Sequence, residues 1–233
     1  MASDSSAFGK MDIVNRLAAR FNYRRYLELA TGTTGRQYRL IDRARFAECR
    51  RLLYNTREDY DDGLSIDYRT TGFDIAAPLA AIGGARFDII LVDSYHGYAQ
   101  SRRDLEAAFT LLTPGGVLVV HDCLPTSEAI AQPEFRDGEW CGVTYKAFID
   151  FVVAHSELRY VTVDTDFGCG IVRKATPSRW ARIRRALRRR RIARWSAIGD
   201  DYAAAWRYFA AHHKSLLGLI GVDAFLGGRG GLG

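Results

Sequence analysis

Residues 87–92 (FDIILV) and 117–120 (VLVV) are two nearly unbroken apolar runs, and each ends on ionisable residues: Asp93 after the first, His121 and Asp122 after the second. A strand that is apolar along its length must be covered on both faces, which is the condition of a strand inside a parallel sheet. Between them, residues 101–112 carry Leu105, Ala108 and Leu112 at helical spacing. This stretch closes on Thr113-Pro114-Gly115-Gly116, read as a stop and a turn. Strand, helix and strand at such intervals make a right-handed crossover, which puts both strand ends on one edge of a sheet.

The rest of the chain extends the same alternation. Residues 11–21 place Ile13, Leu17 and Phe21 on one helical face. Residues 26–30 (YLELA) read as a short strand running into the small-residue turn 31–35, with a helix expected from there to about Cys49. Residues 51–55 and 64–68 are strand candidates on either side of the acidic loop at Asp59, Asp61 and Asp62. A helix is expected over 143–155, a closing pair of strands over 160–163 and 169–172, and a last helix over 200–217. The predicted class is α/β: a Rossmann-like doubly wound sheet, mostly parallel, with a helical C-terminal appendage. The chain divides into a lead-in helix (1–21), the sheet domain (22–174), a basic segment with the last helix (175–226) and a Gly-rich tail (227–233).

Composition excludes several classes. With 233 residues, 48% of them hydrophobic, the chain is neither disordered nor fibrous. The net charge of +6 suggests an anionic partner, but nine Arg and no acid lie within residues 179–194, and the remainder carries about −3. The sheet region supplies no basic stripe or stacking platform, which disfavours nucleic acid as its partner. The basic segment reads as an RNA or anionic-lipid patch, as a solvated linker helix, or as an arm docking on a second protomer, so that the C-terminal helices would form a homo-oligomer. The four Cys are far apart and form no CxxC pair, which fits a reducing, cytoplasmic location. No run approaches the roughly 18 uncharged apolar residues of a transmembrane segment.

Ligands of open α/β sheets bind beyond the carboxyl ends of the strands, so the residues just after each strand are the candidates for chemistry. After the first strand comes the turn, with Glu28 two residues before it. After the next two come Asp93 and Asp122, whose carboxylates converge if those strands are neighbours; oxygen ligands so placed suit Mg²⁺. His96, three residues past Asp93, is a candidate general base because its ordinary pKa lies near working pH. His121 would serve as a ligand, as a partner to Asp122, or simply in the structure. Plainer roles stand beside these: Asp93 capping a turn, His96 bonding a loop carbonyl, residues 164–170 forming a tight turn rather than lining a substrate, and Trp140, Cys141 and Tyr145 packing under a loop rather than walling a pocket.

These residues carry a resemblance. The runs 26–35 (YLELATGTTG), 87–98 (FDIILVDSYHGY) and 103–123 (RDLEAAFTLLTPGGVLVVHDC) resemble the class I S-adenosylmethionine-dependent methyltransferases, and among them the group found in natural-product and cell-surface polysaccharide gene clusters. The resemblance implies S-adenosylmethionine as cofactor, held by Glu28, Ala30, Thr31, Gly32, Thr33, Gly35 and Asp93. It implies Asp93 and Asp122 as ligands of Mg²⁺ where a metal is used, and His96 with Asp93 as the catalytic pair. The activity it implies is O-methylation of a hydroxyl on a sugar or small secondary metabolite. Ala30 stands where the turn has its usual first glycine, and no acid stands clearly at the end of the second strand to bind a ribose. These departures motivate the alternative, a non-catalytic binding or assembly protein on a degenerate methyltransferase fold with a basic arm.

Overall fold

The computed structural model describes residues 8–32, 35–93, 95–155, 158–174 and 192–228. Thr33 and Thr34 of the turn, residues 179–191 of the basic segment and the end of the Gly-rich tail lie outside them.

Eight strands form one sheet: β1 (Arg25–Thr31), β2 (Glu48–Tyr54), β3 (Tyr68–Arg69), β4 (Phe87–Asp93), β5 (Leu112–Val120), β6 (Leu158–Val163), β7 (Cys169–Lys174) and β8 (Leu219–Ile220). Their spatial order is β3-β2-β1-β4-β5-β7-β6-β8. The first five in that order run parallel, and β7 is antiparallel to both its neighbours. The sheet is therefore mostly parallel and doubly wound. Its order reverses between β1 and β4, the point where such sheets open a crevice.

Strand residues alternate between two cores, as the two-residue period requires. Leu27, Leu29, Ile90, Val92, Leu118 and Val120 face helices α2 (Ala76–Ile82), α3 (Tyr98–Leu111), α4 (Thr144–Ala154) and α5 (Tyr202–Leu217). Tyr26, Ile89, Leu91, Val117 and Val119 face α1 (Lys10–Phe21) and the short α6 (Val222–Leu226). The amphipathic stripe of α1 is wholly consumed by this contact, with Ile13, Val14, Leu17 and Ala18 buried. Beyond the sheet, Trp195 docks on the α3–α4 side: its Nε1 donates to Asp150 Oδ1 at 2.6 Å. Asp150 also accepts from Tyr98 OH and Lys146 Nζ, each at 2.8 Å.

Three local expectations are corrected. Residues 35–47 form 3-10 turns at Gly35–Leu40 and Arg43–Arg45, not a helix reaching Cys49. β2 already starts at Glu48, and the short link spends its apolar residues Tyr38, Ile41 and Phe46 on the α1 core. The strand expected over 64–68 shrinks to Tyr68–Arg69, because the preceding residues are committed to holding β2: Asp62 pairs with Arg51 and Asp67 with Arg50, at 2.8 and 2.7 Å. The residues 113–116 do not turn the chain out of the sheet. They lie inside β5, where the pairing with β4 shifts between Phe87 and Ile89. Gly116 is required there because a Cβ would stand 2.8 Å from the Asp88 carbonyl oxygen.

Candidate active site

The register builds the site. Ala30 pairs with Asp93 across β1 and β4, and one residue earlier Val92 pairs with Val120 across β4 and β5. Asp93 and His121 therefore follow matched positions on adjacent strands, tied by the His121 N–H donating to the Val92 carbonyl at 3.1 Å. Counting in twos from Ile89 and Leu91, and from Val117 and Val119, points both side chains to the α1 side of the sheet. The first residue of α1 meets them there. Lys10 is buried, and its Nζ lies 2.8 Å from Asp93 Oδ2 and 3.4 Å from His121 Nδ1.

Two further carboxylates close the cluster. His121 Nδ1 lies 2.9 Å from Asp122 Oδ2, and its Nε2 lies 3.2 Å from Asp166 Oδ1. Asp166 comes from the β6–β7 turn, where Asp166, Phe167 and Gly168 hold φ of 47°, 55° and 83° in succession. That left-handed run is strained for its two non-glycine members. It is held by Cys123 and Leu124, whose N–H groups donate to the Gly168 and Phe167 carbonyls. Asp166 Oδ2 also accepts from the Lys10 N–H at 3.0 Å. Asp122 itself has φ 60°.

The charges in this buried group decide its protonation. Burial pushes the Asp93 carboxyl up, but Lys10 and His121 beside it outweigh that and hold it well below the usual carboxylate range. Burial pulls His121 down, and Asp122 and Asp93 more than reverse it, so the imidazole is held well above its ordinary value and is cationic. Asp166, also raised by burial, is brought to about 2 by its bond to His121. Three carboxylates thus face two internal cations, which leaves one negative charge. Asp93 Oδ1 is buried without a hydrogen-bond donor.

His96 sits on the loop after β4, its Nδ1 3.2 Å from Asp122 Oδ2 and 3.4 Å from Thr144 Oγ1. Burial lowers its pKa further than Asp122 raises it, so this imidazole is neutral where His121 is charged. The loop is pinned by the Val143 N–H donating to the His96 carbonyl at 2.9 Å. Gly142, at φ 54°, makes room for it, since a Cβ there would stand 2.3 Å from that same oxygen. The His96 ring meets Trp140 edge-on at 5.2 Å between centroids, and Trp140 continues to Tyr95 and Phe135, each at 5.2 Å, and Tyr95 to Phe73 at 4.7 Å. Phe73 and Phe135 are exposed.

The β1 end holds the remaining predicted residues. Glu28, Ala30 and Thr31 are buried in β1. The Glu28 carboxylate accepts from Tyr26 OH at 3.0 Å, and burial raises its pKa to about 7. Gly32 packs against the end of β2: a Cβ there would lie 2.2 Å from Thr56 Oγ1, itself a buried hydroxyl with no hydrogen-bond partner. Gly35 opens the following 3-10 turn, and Thr33 lies outside the described residues. The structure therefore brings Asp93, His96 and Asp122 into one cluster and sets Glu28, Ala30, Thr31 and Gly32 along the neighbouring strand end. Sequence reasoning missed Lys10, and it gave His121 and Asp166 only their weaker roles. Strand parity would have found His121, whereas nothing in the residues around Lys10 marks it.

Residues 22–123 match the family model of a methyltransferase domain. No curated protein matches the chain. Among solved structures, the O-methyltransferase TomG from Streptomyces achromogenes, involved in tomaymycin synthesis and solved with SAM, is similar at a TM-score of 0.52 and 19% identity, over 70% of this chain and 78% of its own. An O-methyltransferase from Bacillus cereus in complex with SAH gives 0.53 at 15% identity, over 75% and 84%. Cofactor-bound Rv0187 from MTB gives 0.55 at 15% identity, over 76% and 83%. At these identities the likeness to the solved structures is one of fold. Residues 22–123 thus match a methyltransferase domain, and the fold that contains them is the one these O-methyltransferase structures share.

Proposed function

We propose that the protein transfers the methyl group of S-adenosylmethionine to a hydroxyl oxygen of a small acceptor, a sugar or secondary metabolite. The observation that carries this reading is the pairing of neutral His96 with Asp122, beside Asp93 at the switch point of the sheet. Two features support the cofactor's fit. Thr56 Oγ1 is a buried hydroxyl without a hydrogen-bond partner, beside Gly32 at the β1 end. The cluster's remaining negative charge also suits a cationic sulfonium.

When bound, S-adenosylmethionine supplies an electrophilic methyl on sulfur. The chain's own part is proton handling and alignment. With Nδ1–H given to Asp122, the other His96 nitrogen keeps its lone pair and takes the acceptor's hydroxyl proton as the oxygen–carbon bond forms. Asp122 then stabilises the resulting imidazolium. The rings of Phe73, Tyr95, Trp140 and Phe135 form a wall beside His96 on which a ring-bearing acceptor would lie and be oriented.

Mg²⁺ is the other cofactor that the carboxylates suggest. One ligand atom each from Asp93, His96 and Asp122 lies within 4.8 Å of the others, a spacing that suits an ion. The donor set mixes nitrogen with oxygen where Mg²⁺ takes oxygen, and Asp93 Oδ2 and Asp122 Oδ2 already bind Lys10 and His121. The residues do not fit a resident Mg²⁺. The cytoplasm is the proposed location, supported by four free cysteines. No helix of the described residues is long and apolar enough to cross a membrane.

Calorimetric titration of S-adenosylmethionine into the full chain should give saturable binding that weakens at least about tenfold in Asp93→Asn. Absence of heat in wild type would overturn the reading. Once an acceptor is in hand, His96→Ala should lower kcat by about 10²- to 10⁴-fold while cofactor affinity stays near wild type.

A further inference from the structure

We propose that the Lys10 ammonium, carried into the strand edge by α1, is the resident cation of the Asp93–Asp122 cluster and occupies the role a divalent metal would otherwise fill. This goes beyond the methyltransferase reading; its consequence for catalysis rests on that reading, and its test does not.

The contact is built in rather than incidental. Lysine is almost never fully buried unless paired, and Lys10 is 4% exposed with its Nζ 2.8 Å from Asp93 Oδ2. The backbone that delivers it is fixed from three directions. The Lys10 N–H donates to Asp166 Oδ2, Thr165 Oγ1 donates to the Phe8 carbonyl, and Met11, Ile13 and Val14 are buried in the α1 core. The start of α1 is thus held where the Lys10 side chain reaches Asp93.

The geometry gives the role. Asp93 and Asp122 are the carboxylates placed to hold a divalent ion, and the Lys10 ammonium already takes Asp93 Oδ2 at 2.8 Å while His121 Nδ1 lies 2.9 Å from Asp122 Oδ2. Removing the ammonium frees Asp93 Oδ2 beside His96 and Asp122, the three groups whose ligand atoms lie within 4.8 Å of one another. An ammonium differs from a metal in what it offers. It cannot accept the acceptor's oxygen as a ligand or lower a bound hydroxyl's pKa by coordination, so proton removal falls to His96. The ammonium serves as a positioning charge, holding the Asp93 carboxylate ionised and oriented.

Mn²⁺, a divalent ion suited to carboxylate ligands, is the probe. Its free-ion paramagnetic resonance signal is followed as the full chain is titrated, without cofactor or acceptor. Wild type is expected to show no saturable Mn²⁺ binding through millimolar concentrations, and Lys10→Arg the same. Lys10→Met should gain one site at least about tenfold tighter than any in wild type, lost again in Lys10→Met/Asp122→Asn. A folded Lys10→Met chain, checked by circular dichroism, that gains no site would overturn the proposal. So would one Mn²⁺ bound by wild type and abolished by Asp122→Asn. That second arm needs no change at Lys10, so poor folding of the Lys10 variant leaves the proposal open to refutation.

Discussion

His96 and His121 are both buried imidazoles beside Asp122, yet their surroundings drive them to opposite charge states. The difference is the number of carboxylates each meets: His121 touches Asp93, Asp122 and Asp166, and His96 touches Asp122 alone. Environments that separate two like groups in this way assign one as base and the other as fixed charge. Glu28 shows the converse. Its carboxyl is raised to about 7 by burial, so between the ordinary carboxylate value and pH 7 the folded chain holds a proton that the unfolded chain has lost. Stability must then fall as pH rises through that window, by an amount on the order of 3 kcal/mol. Chemical denaturation at pH 5 and pH 8 should show the fall in wild type and a flatter profile in Glu28→Gln. Gly32→Ala should cost about 1–3 kcal/mol through its collision with Thr56, and Gly32→Ala/Thr56→Ala should recover much of that, a coupling read from a double-mutant cycle.

At the scale of elements, what the sequence made legible was what local periodicity determines. β1, β4 and β5 were readable because apolar runs of that density have no exposed solution, and α5 because Tyr202, Trp206, Phe209 and Leu216 fall near one helical face; the structure adds that Asp201 and Gly218 bound it. The Asp201 side chain accepts from the Ala204 N–H at 2.8 Å, and Gly218 ends the helix at φ 59°. Asp201→Ala should accordingly lower the melting temperature, at a cost of about 1 kcal/mol. The link from β1 to β2 was misread because Tyr38, Ile41 and Phe46 are spaced by the surface they cover, not by a helical turn. Pro114-Gly115-Gly116 was misread as an exit because the residues that turn a chain also let it pass close to a neighbour, as they do at Asp88. Most of the site was visible from strand ends. The rest, Lys10 and Asp166, arrives from elements whose placement only tertiary packing decides.

Across the whole molecule, the chain after β7 is fastened to the sheet domain at Asp150, which Trp195, Tyr98 and Lys146 all engage. Asp150→Ala should loosen that attachment, costing about 2–3 kcal/mol and speeding proteolysis of the C-terminal segment, while S-adenosylmethionine affinity measured by calorimetry stays close to wild type. The basic excess that colours the overall charge belongs to that same region of the chain, between β7 and β8 and after every strand that carries a site residue.

The bond from the Lys10 N–H to Asp166 spans 156 residues. Contacts that distant close a large loop and form late, because the chain between them must be ordered first. During synthesis the first helix leaves the ribosome long before the β6–β7 turn exists, so the strand-end carboxylates gather before Asp166 arrives to complete the group. A chain cut before residue 166 would lose β7 as well, the strand that lies between β5 and β6, so the last carboxylate of the group and the closing side of the sheet depend on the same late segment.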